Sequence, residues 1–258
     1  MFQDTFQADY FKQQLRESLR SETLKTSAIT LVKHDHVYTC GDEDEMVYFI
    51  ESGQVKLLML SPGGKECLLN ILTAGDIFGE LCVSGTGPRL ETVMVMEETV
   101  LRRIPRSGFL ACLSRDSLFE GFVRYLAERI ADQQQMIAHL VTVDSEQRLA
   151  RTLLQLARKL GRKDPRIIRI ELRITHEELS EMVGTTRPRI SMFMQRFRNL
   201  GLLEITEEHF LVIRERKLLD YLTQISEPRD HSFQIRSGRD SNPSRFGLSL
   251  NELQLGAS

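Results

Sequence analysis

Four arginines between Ile174 and Leu203 are well suited to reading another molecule: Arg187, Arg189, Arg196 and Arg198. A guanidinium is planar and always charged. It pairs bidentately with the guanine edge in a DNA major groove or grips phosphate oxygens. The surrounding residues predict two short helices joined by a tight turn. Thr175 is a natural N-cap, and Glu178 three residues later completes a capping box. Leu179, Met182 and Val183 give the first helix an apolar face, and Gly184 ends it in the left-handed conformation. Thr186 caps the second helix, and Pro188 sits in its first turn, where a missing N–H costs little. Ile190, Phe193, Met194 and Phe197 form its buried stripe, which leaves the arginines on or near the exposed side. An ordinary helical hairpin with a solvated basic face is the plainer reading. The turn, both caps, the arginine placement and a following wing occur together, and that combination points to DNA.

A second constellation lies upstream. Phe78-Gly79-Glu80-Leu81 opens a segment that ends at Pro88-Arg89 and has little strand character. A small turn or helix there would aim backbone N–H groups and Arg89 at an anion, while Glu80 accepts from a ligand hydroxyl. A ligand-free loop closed by a Glu80–Arg89 ion pair fits the spacing equally well. The cysteines Cys40, Cys67, Cys82 and Cys112 lack the short spacing of a metal or cluster site, and their apolar neighbours predict burial. There is no G-x-x-x-x-G-K loop, no H-E-x-x-H and no G-x-S-x-G, so the chain is not read as an enzyme.

These residues need elements to hold them. Composition is globular, 41% hydrophobic and 27% charged, and no apolar run spans a bilayer. The N-terminus lacks the apolar core of a secretion signal, so a cytoplasmic location is expected. It reads instead as an amphipathic helix burying Phe6, Tyr10, Phe11 and Leu15. Short strands follow at 28–33, 36–39, 47–51, 54–60, 66–72, 91–96 and 100–104, punctuated by Gly and Pro turns. That spacing predicts a jelly roll or small barrel. From Asp116 to Thr142, Phe119, Val123, Leu126, Ile130, Gln133, Ile137 and Leu140 alternate at intervals of four and three. Such a seam needs a partner helix, and a second copy of the chain is the simplest one. Burial against the chain's own barrel is the competing reading. Asp144 caps a helix from Ser145 to Leu160, a strand follows at 167–172, the wing spans 202–213, and a last helix runs from Glu215 to Gln224.

The expected organisation is an α+β chain. A sensing β-barrel with an N-terminal helix occupies 1–115, a dimerisation helix 116–143, a winged helix–turn–helix 144–225 and a disordered tail 226–258. Charge divides the same way. Residues 1–144 hold 14 Lys+Arg against 21 Asp+Glu, and residues 145–225 hold 16 against 11. A basic module behind an acidic one suits DNA binding.

The order of these parts resembles the cAMP receptor protein/fumarate–nitrate regulator (Crp/Fnr) family. The resemblance rests on Gly79-Glu80-Leu81 with Arg89, on Arg148-Leu149-Ala150 and the apolar residues after it, and on Val183-Gly184-Thr185-Thr186-Arg187. It implies a cyclic-nucleotide-binding-like jelly roll and a homodimeric transcription regulator on a two-fold DNA operator, with RNA polymerase as a further partner. It also implies an effector site at Gly79, Glu80, Leu81, Arg89, Leu90, Gln133 and Gln134, with Glu80 on a ribose hydroxyl and Arg89 on a cyclic phosphate. Leu90 replaces the usual Ser or Thr, and Glu91 brings a carboxylate near the phosphate position. The effector is therefore left open between a cyclic nucleotide, another molecule and none. The cysteine cluster of iron–sulfur members is absent, and haem ligation by His34, His36 or His139 is a weak alternative.

The implied DNA-contacting set is Thr175, Thr186, Arg187, Pro188, Arg189, Met192 and Arg196. Arg187 matches a guanine-reading arginine, and Thr186 and Arg189 match phosphate contacts. Pro188 stands where a cytosine-reading glutamate is common. Met192 replaces a base-reading arginine and suits a thymine methyl. The alternative from another class is a signalling or scaffold protein, its barrel binding a nucleotide or protein and its winged helix contacting protein.

Overall fold

The computed structural model describes residues 5–20, 24–64, 66–85, 87–115, 118–163, 167–170 and 173–226. The tail expected at 226–258 lies outside them from 227 onward.

The chain opens with α1 (Thr5–Arg20), whose Phe11 and Leu15 are fully buried. Tyr10, expected beside them, is 59% exposed, because it falls on the opposite face of the helix. The Phe6 side chain lies outside the described residues. The barrel strands are β1 (Ser27–Leu31), β2 (His36–Tyr38), β3 (Met46–Ser52), β4 (Gln54–Leu60), β5 (Glu66–Thr73), β6 (Ile77–Phe78), β7 (Thr92–Val95) and β8 (Thr99–Pro105). They form two antiparallel four-stranded sheets, ordered β1-β8-β3-β6 and β2-β7-β4-β5, the arrangement of a jelly roll. The two-residue β6 is too short to carry a periodic signal in sequence.

A 3-10 turn (Glu80–Ser84) follows β6. Gly79 enters it at φ 77°, and a side chain there would meet the Met46 carbonyl at 2.8 Å. Only glycine satisfies both demands.

After the barrel come α2 (Arg106–Arg115) and α3 (Leu118–Thr142). The sequence reading missed α2, whose apolar residues show weak helical periodicity. On α3, Leu118, Phe122 and Tyr125 are buried, with Phe122 and Tyr125 packed on Phe11 of α1. A different stripe of the same helix is left open. Phe119, Val123, Ile130, Ile137 and Leu140 are exposed along with Gln133, and Leu126 is half-buried. Both readings of this helix therefore hold on separate faces. Its N-terminal half packs on its own barrel while the heptad seam faces away.

The C-terminal part comprises α4 (Ser145–Leu160), β9 (Gly161–Lys163), β10 (Ile168–Ile170), α5 (His176–Val183), α6 (Arg187–Asn199), β11 (Leu203–Ile205), β12 (Leu211–Ile213) and α7 (Glu215–Ser226). Its sheet runs β11-β12-β10-β9. Asp144 caps α4 by accepting from the N–H groups of Glu146 and Gln147, both at 2.9 Å. Sequence periodicity placed α4 and the wing to within a residue or two, but β9 was not expected. Leu58, Leu68, Ile71 and Met96 of the barrel share one apolar cluster with α4, α5 and α6. The break near Val143 is thus a change of element inside one compact unit that extends to Ser226.

Candidate nucleic-acid interface and effector pocket

The first helix of the recognition unit is set by its N-terminus. The Glu178 N–H donates to Thr175 Oγ1 at 3.1 Å, and the Thr175 N–H donates to Glu178 Oε2 at 2.9 Å, which completes the capping box. Gly184 ends α5 at φ 67°. Arg148 then locks the corner, donating from Nε to the Val183 carbonyl at 2.9 Å and from Nη1 to the Val143 carbonyl at 2.7 Å. In α6, Ile190, Phe193, Met194 and Phe197 are buried as expected. That burial turns Arg187, Pro188, Arg189 and Met192 to solvent, and Met192 is 58% exposed. Thr186 occupies the N-cap position, but its side chain makes no capping bond. Its hydroxyl and the first N–H groups of α6 are left to meet an anion, and the helix dipole favours one there.

Two details differ from expectation. Arg196 is exposed but engaged: its Nη1 donates to Glu146 of α4 at 3.1 Å. It braces the helix from behind and leaves the contact surface to the N-terminal residues. The His176 and Ser191 side chains meet at 2.8 Å and tie α5 to α6. Burial and the neighbouring Arg187 hold His176 below its usual pKa, so it is neutral at pH 7. Spacing alone gave no signal for this pair, because its partners lie on different helices.

The second constellation is folded inward. Arg89 is 4% exposed, and its guanidinium is held on several sides. Nη1 donates to the Gly79 carbonyl at 2.8 Å, and Nη2 donates to the Met46 carbonyl at 2.6 Å and to Asp44 Oδ2 at 3.0 Å. The Tyr38 ring lies 4.3 Å from the guanidinium carbon. The Tyr38 hydroxyl donates to Glu91 at 2.8 Å, and Glu91 is itself 6% exposed. Burial first, and then Glu91, push the Tyr38 phenol well above its ordinary range, so it remains a donor. Tyr48 stacks on Phe78 at 5.0 Å and donates to Asp44 at 2.6 Å.

Glu80 pairs with Arg129 of α3, not with Arg89 as the ligand-free reading supposed. Leu90 points outward and is 62% exposed, which puts Glu91 inside. Leu81, Gln133 and Gln134 are exposed as well, so the residues expected to share one effector site do not converge. Tyr38, Asp44 and Arg129 are the pocket residues that the sequence reading missed. Each reaches the site from another element, and only tertiary folding brings them there. Two cysteines also depart from expectation. Cys82 and Cys112 are buried, whereas Cys40 and Cys67 are exposed at strand and turn edges.

With this geometry in view, the comparisons are direct. Residues 28–116 match the model of the cyclic nucleotide-binding domain, and residues 147–222 match the Crp-like helix-turn-helix domain. The chain belongs to the Crp/Fnr family of transcription regulators. It is 28% identical over 183 residues to the CRP-like cAMP-activated global transcriptional regulator of Mycobacterium tuberculosis, covering 70% of this chain and 82% of that one. It is likewise 28% identical over 206 residues to the global nitrogen regulator of a Synechocystis strain, covering 75% and 88%. Among solved structures, a CooA mutant from Carboxydothermus hydrogenoformans superposes with a TM-score of 0.67 at 29% identity, over 80% of this chain and 94% of that one. This Crp/Fnr member is accordingly a DNA-binding regulator and not an enzyme. Among the described residues, no helix is long and apolar enough to cross a membrane.

Proposed function

We propose that this Crp/Fnr member binds a two-fold DNA operator as a homodimer, with one α6 entering the major groove of each half-site. The observation that carries the reading is the exposed, uncommitted N-terminus of α6. Arg187 is positioned to pair bidentately with a guanine, and Met192 one turn on suits a thymine methyl. Pro188 makes no side-chain hydrogen bond, so the half-site carries no side-chain base contact at that position. Thr175, Thr186 and Arg189 surround this edge and suit phosphate oxygens, which position the protein without reading sequence.

The exposed α3 seam supports the dimer. A long apolar stripe on a monomer surface has no reason to persist in water, and pairing with its own copy buries it symmetrically. Two copies of α6 would then address successive major grooves, about 34 Å apart. The family role adds RNA polymerase as the partner through which the bound dimer acts. The barrel is where a small effector, a cyclic nucleotide among them, would act. The committed state of Arg89 and Glu80 argues against that ligand, so the proposal concerns DNA and dimerisation.

Operator selection from random DNA, followed by titration of the Arg187→Ala variant, tests the reading. The expected outcome is a two-fold site whose specificity relaxes at one base pair per half-site. Unchanged affinity of the variant for that site would show that α6 does not read it. The scaffold alternative predicts no selected sequence at all, only binding that fades with salt.

A further inference from the structure

A cyclic nucleotide makes definite demands on a barrel of this family. Its phosphate is an anion and needs an arginine whose N–H groups are free to turn toward it. Its ribose hydroxyl needs a carboxylate with an open acceptor. Arg89 and Glu80 have the right types, but their surroundings have taken up those capacities. Three acceptors hold the two Nη atoms of Arg89, and one of them, Asp44, is a carboxylate that already balances the charge. Tyr38 covers the guanidinium face and delivers its hydroxyl to Glu91, so a second buried carboxylate lies on the same side. Arg89 Nε is left without a protein partner, and a single N–H cannot hold a phosphate. Glu80 is closed off by its ion pair with Arg129, whose Nη1 also donates to the Tyr125 hydroxyl at 3.3 Å. The glutamate thus serves as a strut between the barrel and α3.

A phosphate could enter only by displacing Asp44 or the backbone carbonyls from Arg89. It would then sit near Glu91, where like charges repel in a poorly solvated site. The residues present do not fit the group that the domain's name implies. Asp44, Glu91 and Tyr38 supply from within the chain the anionic and aromatic contacts that a nucleotide would bring from outside.

We propose that this barrel does not bind cyclic nucleotides, because Asp44, Glu91 and Tyr38 already satisfy the arginine that would hold the phosphate, and that the dimer binds its operator without one. The second half rests on the DNA-binding reading above, and the first half does not.

The test uses the full chain and two readouts. The melting temperature and the operator affinity are followed while cAMP or cGMP is raised to millimolar concentration. A ligand that binds only the folded state must raise the melting temperature. The expected result is an unmoved melting temperature and an operator Kd that changes less than twofold. A saturable rise in melting temperature, or operator binding that tightens tenfold or more, overturns the proposal. Failure to recover any operator, with or without nucleotide, would defeat the DNA-binding reading and leave the melting curves to decide on the pocket. A variant carrying Asp44→Ala and Glu91→Gln sharpens the cause. If those carboxylates are the block, cAMP raises the variant's melting temperature and leaves the wild type's unchanged. An equal rise in both proteins shows that they block nothing. Should the double variant fail to fold, Glu91→Gln alone serves, since it preserves shape and removes only charge.

Discussion

The recognition helix and the barrel pocket carry similar chemistry in opposite states. Each presents an arginine near the start of a short helical element. On α6, Arg187 is exposed, and the adjoining N-cap makes no side-chain bond. In the barrel, Arg89 is buried and held by carbonyls, a carboxylate and an aromatic face. An arginine is thus a binding residue only if the fold leaves it hydrogen bonds to give. The same contrast separates Arg187 from Arg196, whose guanidinium is engaged by Glu146 although it is exposed.

The strongest way to break this comparison is to remove a partner in the barrel. Asp44→Ala leaves Arg89 buried without its counter-ion and is expected to cost about 3–5 kcal/mol of folding stability, read by chemical denaturation. A loss within about 0.5 kcal/mol, typical of a surface change, would mean that Arg89 is not held as described. On α6 the expected pattern is reversed. Arg187→Ala should leave stability unchanged and cost about 1–3 kcal/mol in operator binding, measured by fluorescence anisotropy. Arg196→Ala should cost less than Arg187→Ala in the same assay, since its guanidinium braces α4. Equal losses for the two arginines would erase the distinction between free and committed groups.

A smaller effect concerns Met192. Replacing the opposed thymine with uracil removes one methyl and should weaken wild-type binding by roughly 0.8 kcal/mol, the value of one buried methylene-sized group. The Met192→Ala variant should show less of that preference. A wild type indifferent to the methyl group would place Met192 off the bases.

The smallest effect joins the two regions. Asp76 lies at the barrel edge, where Lys12 of α1 donates to it at 2.6 Å and Lys159 of α4 approaches to 3.5 Å. Burial pushes its carboxyl up, but Lys159 and Lys12 outweigh that and hold it below the usual aspartate range. A depressed carboxylate stabilises the fold above its unfolded pKa, and that contribution disappears as pH falls through the native value. The contribution should therefore be complete at neutral pH, begin to fade below about pH 4, and vanish at still lower pH. Lys159→Met should cost under about 1 kcal/mol at pH 7, since its ammonium is partly in water. The difference between variant and wild type should shrink on acidification in thermal melts, and a gap that persists once Asp76 is protonated would detach Lys159 from it.

Much of this was legible from local pattern. Thr175 and Glu178 three residues apart, Gly184 after an apolar face, and Pro188 in a first turn each act within a few residues of chain, and the structure repeats them. The heptad seam on α3 was legible for the same reason, since helical period decides which residues share a face. Thr186 shows the limit of that reasoning: it stands at the cap position, yet its hydroxyl bonds to no backbone N–H. The effector site was the least legible part. Glu80, Arg89 and Leu90 matched or departed from a motif by residue type, but type does not say which groups are already engaged.

Residue order and periodicity alone determined the succession of barrel, long helix and winged helix, the caps of the recognition unit, and which arginines lie on the outer face of α6. Those features follow from backbone sterics and burial within a few turns of chain. The fate of Arg89 was decided only when β2, β3, β7 and α3 converged. Its partners Asp44 and Tyr38 lie 45 and 51 residues away in sequence, and Arg129, which takes Glu80, lies a further 40 residues on. Hydrogen bonds in a buried site are settled by which groups are brought within about 3 Å of each other. No local pattern encodes that proximity.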